Sequence, residues 1–187
     1  MTIEELRKEI DVVDKNIKEL FIKRMQIIEK IADIKAENND EVFKPERETQ
    51  ILKSCSKGMD ASLKESYTAL VRKLITLSRE HQYKELVKNG YLSDISISGY
   101  QPKHNRLEVS FNCDDSCGSL TYVLSIISDY GVNIKSLSLV NITENDLVAY
   151  RVELLLDMGL SSDKEIALIT QLMKETDDFK ISGSYKI

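Results

Sequence analysis

The spacing of apolar residues along the first 35 positions sets the plan of the chain. Leu6, Ile10, Val13, Ile17, Leu20, Ile27, Ile31 and Ile34 alternate in steps of four and three, the seam of a helix that lies along another helix. The single gap in that seam falls at Arg24. Thr2 followed by Glu5 forms a capping-box start, and no Gly or Pro occurs before Pro45 and Gly58. At ~1.5 Å per residue the helix is about 50 Å long, more than a domain of this size needs. Such a helix must bury its seam on the rest of its chain or on a second copy. A guanidinium inside the seam is costly unless an anion meets it.

The pattern then predicts a polar turn at Glu37 to Glu41 and a short second helix with Pro45 in its first turn, running to about Ser56 and stopped by Gly58. Ser62 with Glu65 predicts the start of a third helix, through Leu63, Tyr67, Leu70, Val71, Leu74, Ile75 and Leu77, ended by Asn89-Gly90. Three helices of such unequal length bury poorly alone, and a dimer of interlocked chains resolves this.

Beyond residue 90 the period changes. Leu107, Val109 and Phe111 alternate as in a half-buried strand, and Asn112 to Gly118 reads as a loop. Leu120, Val123, Leu124 and Ile127 mark a helix ending near Gly131. Asn133 to Asn141 and Leu147 to Asp157 read as strands joined by a turn over 143–146. Ser162 with Glu165 predicts another capped helix, and Phe179 to Lys186 a last strand. Ile95 to Gly99 reads as an extra strand or as linker. The expectation is a multi-domain chain. An all-α domain (1–89) and a linker (90–104) lead to an α+β domain (105–187) of βαββαβ order with helices on one face of an antiparallel sheet.

Composition narrows the function. A net charge of −5 with no Lys/Arg block argues against nucleic acid or anionic membrane as partner. No apolar run reaches the length of a membrane span and the N-terminus has no apolar signal core, so a cytoplasmic protein is expected. Cys55, Cys113 and Cys117 are then read as free thiols, and with only His81 and His104 to add, a metal site is not expected.

In the helical half, Arg7, Arg24, Lys35, Arg47, Glu48, Ser78 and Gln82 are the polar residues on or beside apolar faces. Arg24 and Lys35 lie three turns apart on one face, about 16 Å, so two long side chains can converge on one small anion. Arg7 lies about 25 Å from Arg24 and about 100° round the helix. It is out of reach of the same ligand in its own chain, but in an antiparallel dimer it could enter the partner's site. Ser78 and Gln82 form an i, i+4 pair.

This frame resembles the all-helical class of chorismate mutases. It carries L-R-x-x-I-D-x-x-D at Leu6 to Asp14, an Arg seventeen residues after the first, Lys35, P-x-R-E at Pro45 to Glu48, and S-x-x-x-Q at Ser78 to Gln82. The resemblance implies an intertwined homodimer that rearranges chorismate to prephenate without a cofactor. It also implies roles for the residues. Arg24, Lys35 and Arg47 hold the carboxylates and ether oxygen, and Arg7 enters from the partner. Glu48 takes the ring hydroxyl, Ser78 a carboxylate, and Gln82 donates to the ether oxygen. The pattern departs at Lys44, where a carboxylate often stands.

Residues 105 to 187 resemble an ACT domain, the ferredoxin-like module that binds amino acids. The likeness lies in the fold order, in Asp115 to Leu120 entering the first helix, and in Gly131 to Ile134 entering the second strand. It implies Asp115, Gly118, Ser119, Leu120, Asn133 and Ile134 as effector-binding residues. Cys117 replaces a usual Pro, and the E-S-R-P stretch of phenylalanine-sensing dehydratases has no counterpart in Ser136 to Asn141. A domain kept for dimerisation or for contact with another enzyme is the competing reading. Together the halves resemble a mutase–prephenate dehydratase without its dehydratase domain. The alternatives to a mutase are a non-catalytic regulatory or dimerisation protein, and an isochorismate pyruvate lyase on the same scaffold.

Overall fold

A computed structural model describes residues 1–93, 98–101, 103–114, 118–144 and 147–186. The chain runs α1 (Ile3–Glu37), α2 (Pro45–Cys55), α3 (Ala61–Lys88), β1 (Arg106–Asp114), α4 (Ser119–Asp129), β2 (Asn133–Glu144), β3 (Leu147–Asp157), α5 (Ser162–Glu175) and β4 (Asp177–Tyr185).

The capping box of α1 forms as expected: Glu5 N donates to Thr2 Oγ1 at 3.3 Å and Thr2 N donates to Glu5 Oε2 at 2.7 Å. The two later boxes do not. Asp60, one residue before the α3 helix, takes the cap by accepting from Ser62 N at 2.8 Å, and Ser62 lies inside the helix with its hydroxyl donating to the same carboxylate oxygen at 2.6 Å. At α5 the cap position is Ser161 without a side-chain bond. Glu165 is buried and receives the Tyr100 hydroxyl at 2.7 Å instead, so a tertiary contact overrides a local one.

The four strands form one antiparallel sheet in the order β2-β3-β1-β4. β1 extends to Asp114, through three residues expected in a loop, because Asn112, Cys113 and Asp114 pair with Arg151, Tyr150 and Ala149. Leu107, Val109 and Phe111 alternate inward as expected and meet Val152, Leu154 and Leu156 of β3 in the core beneath α4 and α5. Each such side chain contributes ~1.5–3 kcal/mol on full burial. Gly99 approaches β4 so closely that a Cβ would stand 2.3 Å from Ile181 O, and its φ of +90° excludes most other residues. Most of the linker strand considered at Ile95 to Gly99 lies outside the described residues. Cys55 and Cys113 are free thiols; Cys117 lies outside them. No helix among the described residues is long and apolar enough to cross a membrane.

The change of period near residue 90 is not a break in the core. Ala32, Val42, Tyr83, Leu86 and Val87 from the helical half join the same buried cluster as the strands, α4 and α5. The start of α1 is the opposite case. Leu6, Ile10, Val13, Ile17 and Leu20 are all exposed, with Leu20 67% accessible. Only towards its C-terminal end does α1 bury a residue, Ala32, as it packs along α3.

Candidate active site

α1 and α3 bring three of the seven predicted polar residues together, Arg24, Ser78 and Gln82. Arg24 is half-buried where α1 meets α3, and its Nε donates to Ser78 Oγ at 3.2 Å. The Ser78 hydroxyl donates to Leu74 O at 2.6 Å, which leaves its oxygen as an acceptor for the guanidinium. One turn on, Gln82 is buried; its Nε2 donates to Ser78 O at 3.2 Å while its Oε1 has no hydrogen-bond partner. An unmet buried acceptor costs ~1–3 kcal/mol, and the second amide hydrogen of Gln82 is not used in that bond. A pair of helices that leaves such groups at its contact is arranged to receive something polar.

Lys35 lies half-buried at the end of α1, where its Nζ donates to Val42 O at 2.9 Å. Burial lowers the pKa of its ammonium; Asp40 opposes this and Lys44 adds to it, with smaller effects from Glu48 and Arg79. Lys44, at the position where the family pattern often has a carboxylate, caps α2 with its backbone and pairs with Asp40 at 2.6 Å. Glu48 is half-buried on α2 and takes a hydrogen bond from Arg79 Nη1. Arg47 and Arg7 are exposed, Arg7 on the open N-terminal stretch of α1.

Arg79 is a buried charge beside the site that the motif spacing does not name. It is 3% exposed, bonded to Glu48, 3.0 Å from Glu175 Oε1, and it donates to the Tyr122 hydroxyl. Its signal was present: Arg79 stands four residues after buried Ile75 and seven before buried Leu86. The same spacing argument that singled out Arg24 applies to it.

Neither of two nearby clefts coincides with the polar cluster. One, of about 400 Å³, lies between the 39–43 loop, Tyr83, Leu86, Thr170 and Lys174 and shares only Lys35 with it. Another, of about 230 Å³, shares only Glu48 and its partner Arg79. The candidate site is therefore marked by its inward-facing polar groups and not by a closed cavity.

In the α/β half, the residues considered for an effector separate. Gly118, with φ +92°, caps α4, and Ser119 and Leu120 follow it. Gly118 and Leu120 line a cleft of about 270 Å³ with Cys113, Asp114, Thr121, Leu139, Tyr150 and Val152. Asn133 and Ile134 pair with Asp157 and Leu156, whereas Asp114 pairs with Ala149 at the other end of β3. Eight residues of strand, roughly 26 Å, therefore separate the two groups within a chain. Asp115 lies outside the described residues.

A helical domain that lines up cations, a hydroxyl and an amide, with carboxylates held by ion pairs, is suited to binding and orienting a small anion. Residues 6–83 match the family model described as chorismate mutase type II. The match falls within the helical half and supports a chorismate mutase domain there, and with it a chorismate mutase as the enzyme. The model does not extend into the α/β half, and the chain has no match among curated proteins.

Proposed function

We propose that the chain rearranges chorismate to prephenate as a homodimer, with each site completed by the partner's first helix. The observation that carries this reading is Arg24, held by Ser78 at the α1–α3 contact and one turn from the partly unpaired amide of Gln82. The reaction is unimolecular and pericyclic. Its catalyst must fold a flexible dianion into the reactive shape and stabilise negative charge growing on the ether oxygen. Arg24, Arg47 and the partner's equivalent of Arg7 hold the two carboxylates. Lys35 and the free Gln82 N–H donate to the ether oxygen, and Glu48 accepts the ring hydroxyl. The apolar stretch from Leu6 to Leu20 supports the dimer, since it is a long seam left exposed among the described residues.

The α/β half supports a second layer to this reading, regulation by an amino acid at an ACT-type domain. The support is the βαββαβ order, the strand order, and the cleft beside the Gly118 cap. The separation of Gly118–Leu120 from Asn133–Ile134 in one chain means that an effector touching both groups would lie between two copies.

The test is chorismate disappearance with the product identified, repeated for Arg24→Ala. Prephenate formation that is lost in a folded Arg24→Ala protein supports the mutase. Pyruvate released from isochorismate in its place identifies the lyase, and no turnover of either substrate by a folded dimer leaves a regulatory protein. Inhibition by phenylalanine or tyrosine, abolished by Gly118→Val, tests the effector site.

A further inference from the structure

The wall between the two halves holds a charged cluster of which the proposed reaction uses only Glu48. Arg79 of α3 stands between two carboxylates, Glu48 of α2 and Glu175 at the end of α5. Tyr122 of α4 joins it, accepting from Arg79 and donating to Glu175 Oε2. Phe43 lies 4.9 Å under the guanidinium and the Tyr122 ring 5.4 Å from it, so apolar faces close the cluster off. The Arg79 side chain is 4% exposed and that of Glu175 is fully buried.

Such a cluster is expensive. A buried triad of charges is often less stable than an apolar replacement of the same volume, so adhesion between the halves does not explain it. Burial pushes the Glu175 carboxyl up, against the pull of Arg79 and of the Tyr122 and Gln171 hydrogen bonds. Burial also works against the Arg79 charge, yet the carboxylates raise its pKa and it stays a cation. The contact at 3.0 Å from Arg79 Nε to Glu175 lacks hydrogen-bond alignment, whereas Arg79 Nη1 donates directly to Glu48 Oε1. The guanidinium is thus shared between two carboxylates, one from each half of the chain.

We infer that Arg79 is a positioning residue that sets the orientation and charge of Glu48, and that Glu175 and Tyr122 make this setting depend on the α/β half. The inference rests on the role of Glu48 towards the substrate hydroxyl given under Proposed function. Arg79 occupies Glu48 Oε1 and leaves Oε2 to accept the ring hydroxyl. Glu175 holds part of the Arg79 charge, so Glu48 remains a strong acceptor. A displacement of α4 or α5 alters that division and changes substrate binding at α2 without any contact between the α/β half and substrate.

The experiment is a double-mutant cycle on the full chain with chorismate as substrate, using Glu48→Gln, Glu175→Gln and the pair. Without Glu175 the Arg79 charge falls wholly on Glu48, and KM rises about tenfold while kcat changes much less. In the Glu48→Gln background the same Glu175→Gln change has no further effect on KM. Equal effects in both backgrounds, or an effect on kcat alone, overturn the inference and leave the cluster as a tether. Where Glu175→Gln does not fold by near-UV circular dichroism, Tyr122→Phe takes its place, and the same dependence on Glu48 is required. A wild-type protein without chorismate turnover fails at the earlier reading. Turnover that depends on Glu48, with a Glu175→Gln effect that is the same in both backgrounds, fails at this one alone.

Discussion

Arg7 and Arg24 lie on one rigid helix about 25 Å apart, so two single variants give a sharp test of a shared site. Arg24 is tied into its own chain by Ser78. Arg7 is exposed at the far end of α1. If each site takes Arg24 from one chain and Arg7 from the other, Arg7→Ala and Arg24→Ala homodimers are both defective at both sites. Each parent is expected to lose on the order of 100-fold in kcat/KM, the scale for removing one charged transition-state contact. Equal amounts unfolded and refolded together give about half heterodimers by random pairing. A heterodimer has one site with both arginines and one with neither. The mixture should therefore recover about a quarter of wild-type activity, roughly 25-fold above either parent. Co-refolding is needed because interlocked chains exchange slowly. Activity that stays at the mean of the parents refutes the shared site and places Arg7 outside the chemistry.

Three further outcomes follow from the same geometry. Gln82→Glu should shift activity towards acid pH, because only the protonated carboxyl can donate to the ether oxygen; an unchanged pH profile removes Gln82 from that role. In the role proposed for it Lys35 acts as an ammonium, and burial lowers its pKa, so kcat/KM should fall with rising pH before an ordinary lysine near ~10.4 would titrate. Lys35→Arg, if it retains turnover, should lose that alkaline limb, and a limb that persists assigns it to another group. Leu20→Asp should weaken the dimer by about 2–4 kcal/mol, two-thirds of a leucine's burial counted once in each copy. Sedimentation should register this as a shift to monomer at low micromolar protein, and unchanged association would move the interface elsewhere.

Much of the helical half was legible because its signals are local. The 3-4 spacing of α1, the proline opening α2 and the Asn89-Gly90 stop all act within a turn or two of the residues that carry them. The Arg24 gap was legible for the same reason. Glu165 was not, since what decides its role is Tyr100, 65 positions away. The same holds for Cys113, whose strand pairing depends on Tyr150. Arg79 lay between these cases. Its helix position was readable, but its carboxylate and phenol partners come from α2, α4 and α5, and no periodicity within α3 names them.

The shared core has a consequence for how the molecule breathes. The first half of α3 carries exposed Leu63, Tyr67 and Leu70, while its second half is sealed under α5 through Tyr83, Leu86 and Val87. One continuous helix therefore belongs to two cooperative units. In a dissociated chain, amides near Leu63 exchange by fraying, and those near Leu86 exchange only when the sheet opens. Excising the α/β half would uncover the end of the helix that carries Ser78 and Gln82. The boundary near residue 90 divides the sequence, but the unit that unfolds together begins inside the third helix.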